Sequence, residues 1–245
     1  MHRAIRKDEI LELLKRYNYM TVPFLAKTLH ISQSSVRRDL AVMETQGLVK
    51  RTHGGVSEVE SSNTLAPYSL RMQENSIAKR AICTKAASLI QDGDVVFIDG
   101  STTCLFLPEL IEQKHNITVL TNSLRLAAMF KNNNVQVYCT GGSLRLQDEY
   151  VMAGPMAEDN VRKMRTDWMF FSARAIDEQG VITDLNEPET SLRQVAMAHT
   201  EKAVFLCDSS KFNRKSVFTL CNSEDLYGII SDVQLPEPIN KKEIL

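Results

Sequence analysis

A run of small polar and basic residues near the N-terminus has the composition of a DNA-reading helix. Ser32 is a good N-cap, because its hydroxyl can accept an unpaired backbone N–H of the first helical turn. Val36 and Leu40, four residues apart, form the inner face, so the basic residues between them project outward. Small side chains let a helix approach base edges in the major groove, and arginines reach phosphates or guanine. The predicted DNA contacts of this helix are Ser32, Gln33, Ser34, Ser35, Arg37 and Arg38.

The residues that follow this helix predict a basic wing. Segment 48–56 contains two short strand-like runs around a Gly-Gly turn. Its residues predicted to lie over the DNA backbone or minor groove are Lys50, Arg51 and His53. Of Arg37 and Arg38, one is expected at a phosphate and the other at a base or braced by Asp39. The alternative is a three-helix unit with a solvated charged face, because such patterns also occur in proteins that do not bind DNA.

Polar residues follow each of five apolar runs farther along the chain, where they could hold an anionic polyol. Parallel strands bind ligands beyond their carboxyl ends, and a helix starting near Cys104 is expected to offer free N–H groups to an anion. The alternative is a set of ordinary turns with Ser/Thr caps. The residues predicted to bind this ligand are Asp99, Gly100, Ser101, Thr102, Thr103, Thr121, Asn122, Gly141, Gly142, Arg145, Arg174 and Lys211.

The elements that must position these residues form two groups. In the first, helices are predicted over 7–17, over 22–29 with Thr21 as N-cap, and from Ser32 to Gly47. In the second, a helical pattern over 68–90 precedes apolar runs that alternate with helical segments. These runs are predicted to be strands over 95–98, 117–120, 135–139, 168–171, 203–207 and 227–230. The alternation is typical of an α/β fold with three layers and a parallel sheet.

Charge and composition favour two domains. Residues 1–55 contain ten Lys/Arg and five acidic residues, whereas the 245-residue chain has a net charge of −1, so the rest carries −6. A basic head on an acidic body suits a protein that contacts DNA at one end only. The predicted organisation is a DNA-binding domain at 1–57, a polar, Ser-rich linker at 58–67, and an α/β sensing and oligomerisation domain at 68–245.

Several function classes are disfavoured by the sequence. No apolar run approaches the roughly 18 residues of a membrane span, and the N-terminus lacks the apolar core of a secretory signal. The five cysteines are scattered, which predicts reduced thiols and a cytoplasmic location. The five histidines are dispersed and no Ser/His/Asp spacing suggests a nucleophile, so no metal, cofactor or catalytic residue is predicted.

Both halves of the chain resemble the DeoR family of bacterial transcriptional regulators. The head matches its N-terminal signature through Ser32, residues 36–40 and residues 47–55. The body is similar to the family's effector domain, which is related in fold to ribose-5-phosphate isomerase and binds phosphorylated sugars. The matching residues of the body are Asn75, Lys79, Asp92-Gly93-Asp94, Asp99, Ser101-Thr102-Thr103, Thr121-Asn122, Gly141-Gly142, Gly180-Val181-Ile182-Thr183 and Asp208-Ser209-Ser210-Lys211-Phe212.

The resemblance implies a winged helix-turn-helix head and assigns roles in the body. It puts Thr102 and Thr103 near the phosphate of the ligand, and Asp99, Asn122 and Lys211 on the sugar. Glu187, which forms a pair with Glu189, is also a predicted ligand contact, and Arg193 stands where the family often has a lysine.

The function implied is a DNA-binding transcriptional regulator, a repressor of a sugar-metabolism operon whose operator binding is modulated by a phosphorylated sugar. The expected partners are double-stranded operator DNA, the sugar phosphate and further copies of the chain in a homo-dimer or homo-tetramer. One alternative is a sugar-phosphate isomerase-like enzyme with a DNA-binding head, in which Asp99, Glu187 and Lys211 supply acid–base groups. Another is a regulator whose body only oligomerises.

Overall fold

The computed structural model describes residues 3–17, 19–45, 48–52, 55–58, 68–131, 134–145 and 150–244. The chain divides into two compact units, residues 1–71 and 72–245, which we call the head and the body. The predicted linker lies outside the described residues except for Glu58, the last residue of a strand. Within the described part of the chain, every helix is too short or too polar to cross a membrane.

The described residues of the head up to Glu58 form three helices and a three-stranded antiparallel sheet. Thr21 caps the second helix as predicted, because its hydroxyl accepts the Phe24 N–H at 3.2 Å. Ser32 likewise accepts the Ser35 N–H at 3.2 Å before the third helix, whose predicted end at Gly47 lies outside the described residues. The elements are α1 (Arg3–Tyr17), β1 (Tyr19–Thr21), α2 (Val22–Thr28), α3 (Gln33–Thr45), β2 (Val49–Thr52) and β3 (Gly55–Glu58).

The wing is present, and it has a third strand that the sequence pattern did not predict. Strands β2 and β3 pair antiparallel, and β1 adds to the other edge of β3 to give the order β1-β3-β2. Buried apolar side chains from all three helices and the sheet form one core, which includes Leu14, Leu25, Val36, Leu40 and Val56.

The body is built on a six-stranded parallel sheet with the order β14-β12-β9-β4-β5-β6, so the predicted α/β fold is confirmed. Its six strands correspond to the six predicted runs. The sheet consists of β4 (Val95–Ile98), β5 (Ile117–Thr121), β6 (Val135–Cys139), β9 (Thr166–Phe171), β12 (Thr200–Cys207) and β14 (Gly228–Ser231). Short additional strands are β7 (Ser143–Arg145), β8 (Val151–Ala153), β10 (Ala175–Ile176), β11 (Val181–Asp184) and β13 (Phe218–Asn222).

Helices cover the sheet, and one of them departs from the prediction. The helix predicted over 68–90 is broken in two, because Asn75 adopts a left-handed conformation with φ 53°. Side chains from α8 and α9 share a core with Phe97, Phe171 and Phe205 of the sheet, whereas α5 packs against β12 and β14. Helix α4 (Tyr68–Gln73) contains the boundary between the head and the body. The helices of the body are α5 (Ser76–Leu89), α6 (Leu107–Ile111), α7 (Leu124–Ala127), α8 (Pro155–Val161) and α9 (Glu187–Ala198).

Candidate functional site: a recognition helix and a polar strand edge

The exposed side of α3 carries most of the residues predicted to contact DNA. Its first turn presents hydroxyls, because the Ser32 hydroxyl lies 2.9 Å from those of Ser34 and Ser35. Farther along the helix, Arg37 Nη2 donates a hydrogen bond to Oε1 of Gln33, one turn earlier, at 3.4 Å. The exposed residues are Ser32, Gln33, Ser34, Arg37 and Arg38, and Ser35 is half-buried.

Asp39 forms an ion pair with an arginine of α1, Arg6, and not with Arg37 or Arg38 of its own helix. Arg6 Nε and Nη2 each lie 3.0 Å from Asp39 Oδ2, and Asp39 has only 7% of its surface exposed. Because Asp39 points inward on α3, its neighbours Arg37 and Arg38 are left pointing outward. The ion pair therefore fixes α3 against α1 without using either outward arginine.

The wing is tied to α3 through Glu44. Its carboxylate accepts the Arg51 backbone N–H at 3.1 Å and lies 3.6 Å from Arg51 Nη1. Lys50, on the opposite face of β2, is exposed. His53, the third predicted wing contact, lies outside the described residues.

In the body, the turns after β4 and β5 are joined by backbone hydrogen bonds. The Gly100 N–H donates to Asn122 Oδ1 at 2.8 Å, the Ser101 N–H to Asp99 Oδ1 at 3.1 Å, and the Cys104 N–H to the Ser101 hydroxyl at 3.3 Å. The N–H of Cys104, where a helix with N–H groups free for an anion was expected to start, is therefore already bonded. A 3₁₀ turn, Cys104–Phe106, and then α6 follow it.

Gly100 is required by close packing at this edge. A Cβ at this position would lie 2.7 Å from Val151 Cγ2 and 3.1 Å from Ser123 Cβ. Val151 belongs to β8, which pairs with β7 and is held to the turn after β5 by the Met152 N–H, 2.7 Å from the Asn122 carbonyl. The ends of β4 and β5 and the β7–β8 hairpin thus meet in one place.

Two lysines lie at this edge, near the carboxylate of Asp208. The Lys79 ammonium donates to the Thr102 hydroxyl at 3.3 Å, and Lys79 is 4% exposed. The Lys211 ammonium donates to the Ser172 hydroxyl at 2.6 Å and to the Ala173 carbonyl at 2.8 Å. Both ammonium groups act electrostatically on Asp208.

Asp208 is held as a carboxylate. Its burial raises its pKa, but the charge of Lys211, hydrogen bonds from Ser210 and Asn75, and the charge of Lys79 outweigh that effect, so the pKa is lowered from 3.8. The Asn75 amide donates at 2.9 Å, which ties the break between α4 and α5 to the end of β12. A carboxylate near two ammonium groups and several hydroxyls is suited to a ligand with both anionic and hydroxyl groups.

A buried arginine gathers three carboxylates beneath the turn after β4; we call these four residues the carboxylate cluster. Arg193 Nε donates to Asp99 Oδ2 at 2.7 Å, Nη1 to Asp184 Oδ2 at 2.9 Å, and Nη2 to Glu189 Oε2 at 3.3 Å. Burial lowers the pKa of Arg193, but the three negative charges outweigh it and hold the pKa above its ordinary value. The guanidinium therefore stays charged.

The remaining predicted ligand contacts differ from one another in how far they are buried. Thr103 and Asn122 are fully buried, and the Thr103 hydroxyl and Asn122 amide nitrogen have no hydrogen-bond partner among the described residues. Glu187 is exposed at the start of α9, whereas its neighbour Glu189 points into the carboxylate cluster. The other positions are as follows: Thr121 is buried, Ser101, Gly141 and Arg174 are half-buried, Gly142 is exposed, and the side chain of Arg145 lies outside the described part.

The polar side chains described above, at the carboxyl ends of the sheet's strands, form what we call the polar edge. A groove of about 760 Å³ lies away from it. It is at the amino ends of β5 and β6 and is lined by residues that include Asn116, Phe130, Lys131 and Gln136. None of the predicted ligand contacts lines it.

Several residues of this edge were absent from the predicted contacts. Lys79 had a detectable signal, because it lies three and four residues before the buried Ile82 and Cys83, on the apolar face of α5. Arg193 is similarly placed before the buried Ala196. The positions of Asp184, Ser172 and Asp208 relative to these cations depend on contacts between distant segments.

Two family profiles match the chain, one to each unit. The profile described as "DeoR-like helix-turn-helix domain" matches residues 6–62, and the one described as "DeoR C terminal sensor domain" matches residues 74–233. Together they account for nearly all of the two units.

Relatives that match nearly the whole chain are named as regulators. The L-fucose operon activator of Haemophilus influenzae is 32% identical over 237 residues, which are 96% of this chain and 94% of that protein. The HTH-type transcriptional repressor CsqR of Escherichia coli is 28% identical over 238 residues, 97% of this chain and 90% of that protein. Among solved structures, ribose 5-phosphate isomerase A of Methanocaldococcus jannaschii is similar at 17% identity with a TM-score of 0.42, covering 57% of this chain and 55% of that one.

Proposed function

The chain belongs to the DeoR family of transcriptional regulators, and we propose from that premise that it represses a sugar-metabolism operon in response to a phosphorylated sugar. In this proposal α3 and the wing bind operator DNA, and the polar edge of the body's sheet binds the effector. Relatives of this family include a named activator and a named repressor, so the sign of regulation is open to direct test with a reporter gene.

The pair of lysines beside Asp208 is the observation that supports a phosphorylated sugar. Lys79 and Lys211 supply two ammonium groups for a phosphate, while Asp208 and the hydroxyls of Thr102 and Ser172 can bind sugar hydroxyls. Asp99 was predicted to contact the sugar directly. Because it is fully buried and binds Arg193 and the Ser101 N–H, we assign it the role of positioning the turn.

Regulation requires that the effector bind the DNA-competent and DNA-incompetent arrangements with different affinity. A dimer or tetramer is part of the proposal, because one head offers few contacts and operators are commonly two-fold symmetric. A cytoplasmic location and the absence of enzymatic activity also belong to it. Incubation with pentose and hexose phosphates tests the isomerase-like alternative, which predicts turnover.

The decisive experiment is fluorescence anisotropy of labelled DNA from the region upstream of the coding sequence, at fixed salt, with a panel of pentose and hexose phosphates. We expect specific binding that one compound changes at least tenfold. Lys79→Met and Lys211→Met should bind the DNA normally and lose that response, whereas Lys85→Met, on the exposed side of α5, should keep it. Specific DNA binding that no compound alters would refute the effector and favour a body that only oligomerises.

A further inference from the structure

Helix α3 has a well-defined outward direction, set by its buried side. Val36, Asp39, Leu40 and Met43 are buried and face the head's core. At about 100° per residue, the direction opposite their mean passes close to Ser34. Arg38 lies about 30° from that direction and Arg37 about 70° from it, on the other side. The two adjacent arginines therefore occupy different parts of the exposed surface.

Arg38 has small side chains on one side of it on this surface. Its helical neighbours there are Ser34, one turn before it, and Ala41, nearly one turn after it, whereas Val42, on its other side, is 38% exposed. The serine and the alanine keep the surface low on the side toward the outward direction, so that side of the helix can approach the floor of the major groove. A guanidinium at that position can donate two hydrogen bonds to O6 and N7 of guanine.

Arg37 lies on the side of α3 that faces the wing. Its guanidinium lies 3.4 Å from Gln33 Oε1, and Glu44, farther along the same side, binds Arg51 of β2. An exposed side chain on the same side of the recognition helix as the wing is placed for the wall of the groove, where the phosphates are. Such a contact adds affinity without distinguishing base pairs.

We propose that Arg38 reads a guanine in the operator and that Arg37 binds a backbone phosphate. This assignment rests on the proposed DNA-binding function and adds to it the residue that determines specificity. It predicts that the two arginines, adjacent and equally charged, have different effects when replaced.

The test begins with in vitro selection of randomised double-stranded DNA by the full-length chain, followed by anisotropy on the selected sequence and all its single base-pair variants. Arg38→Gln should lose about tenfold discrimination at one G·C pair and gain preference for A·T there, because glutamine pairs with adenine. Arg37→Gln should weaken binding to all sequences alike and lower the slope of log K against log salt by about 0.9. Lys85→Gln, which removes one charge from the body, is the control.

The outcomes separate the assignment from the function on which it rests. If the wild-type chain selects a sequence but Arg38→Gln keeps its preference at every position, the assignment is wrong. A change of base preference in Arg37→Gln would reverse it. If the wild-type chain selects no sequence, both the assignment and operator binding fail. Both arginines are exposed, so circular dichroism should show unchanged helix content in each variant.

Discussion

Replacing Arg193 by methionine tests whether the carboxylate cluster stabilises the body. Methionine keeps a chain of moderate length but leaves Asp99, Asp184 and Glu189 without their shared counter-charge, in surroundings where Arg193 is only 4% exposed. Removing one partner of a buried ion pair destabilises a protein by about 3–5 kcal/mol. Because three carboxylates share this partner, we expect the upper part of that range, about 4–5 kcal/mol.

Urea unfolding followed by tryptophan fluorescence measures this loss in the body alone. Trp168, the chain's one tryptophan, lies in β9 and is 7% exposed, so its emission reports unfolding of that unit. At a slope of about 2 kcal/mol per molar urea, the midpoint should fall by about 2 M. Arg193→Lys should lose roughly half as much, since an ammonium cannot match the geometry of the guanidinium.

The matched control is Arg162→Met. Arg162 also binds two carboxylates, Glu158 at 3.3 Å and Asp159 at 2.9 Å, but its side chain is 46% exposed. Exposed ion pairs contribute about 0–1 kcal/mol, so this midpoint should move by less than about 0.5 M. Equal midpoints for Arg193→Met and Arg162→Met would refute the reasoning.

Three further predictions concern single contacts. Gly100→Ala puts a methyl group 2.7 Å from Val151 Cγ2, so the free energy of unfolding, measured by thermal unfolding, should fall by about 1–3 kcal/mol. Adding Val151→Ala should restore part of this free energy, and no restoration would contradict the contact. Asp39→Asn removes the charge that binds Arg6, so we expect a lower melting temperature of the head, measured by circular dichroism. Arg38→Ala, which replaces an exposed side chain, is the control and should change that temperature little. The pKa of Asp208 is lowered because the charges of Lys211 and Lys79 and the hydrogen bonds from Ser210 and Asn75 together outweigh its burial, so the carboxylate stabilises the fold above pH 3.8. The difference in urea midpoint between Asp208→Asn and wild type should narrow as the pH falls below that value, and a constant difference would exclude the ionic contribution.

The parallel strands could be predicted from sequence because they are buried on both faces. Such strands read as uninterrupted apolar runs, and β4 and β6 have the predicted bounds. The run predicted over 203–207 begins three residues earlier in the structure, at Thr200, where the side chains are more exposed. In β12 the apolar run therefore locates the buried core of the strand and misses its more exposed start.

Features set by distant contacts could not be predicted in the same way. The three-residue strands β1, β7 and β8 are too short to show a period, and only their pairing defines them. The break at Asn75 faces Asp208, 133 positions away. At the polar edge, the position of Lys211 just after a predicted strand made it a predicted ligand contact. Nothing in the sequence indicated that Asp99 binds Arg193 inside the protein.

The carboxylate cluster also restricts how this sequence can drift. Its four members come from the turn after β4, the end of β11 and helix α9, so no short insertion or exchange replaces them together. A lineage that loses the arginine first passes through an intermediate weakened by several kcal/mol, a large part of the roughly 5–15 kcal/mol that a domain has. A lineage that loses one acid first keeps the arginine paired with two others. Substitution at this site therefore has a favoured order, with acids lost before the base.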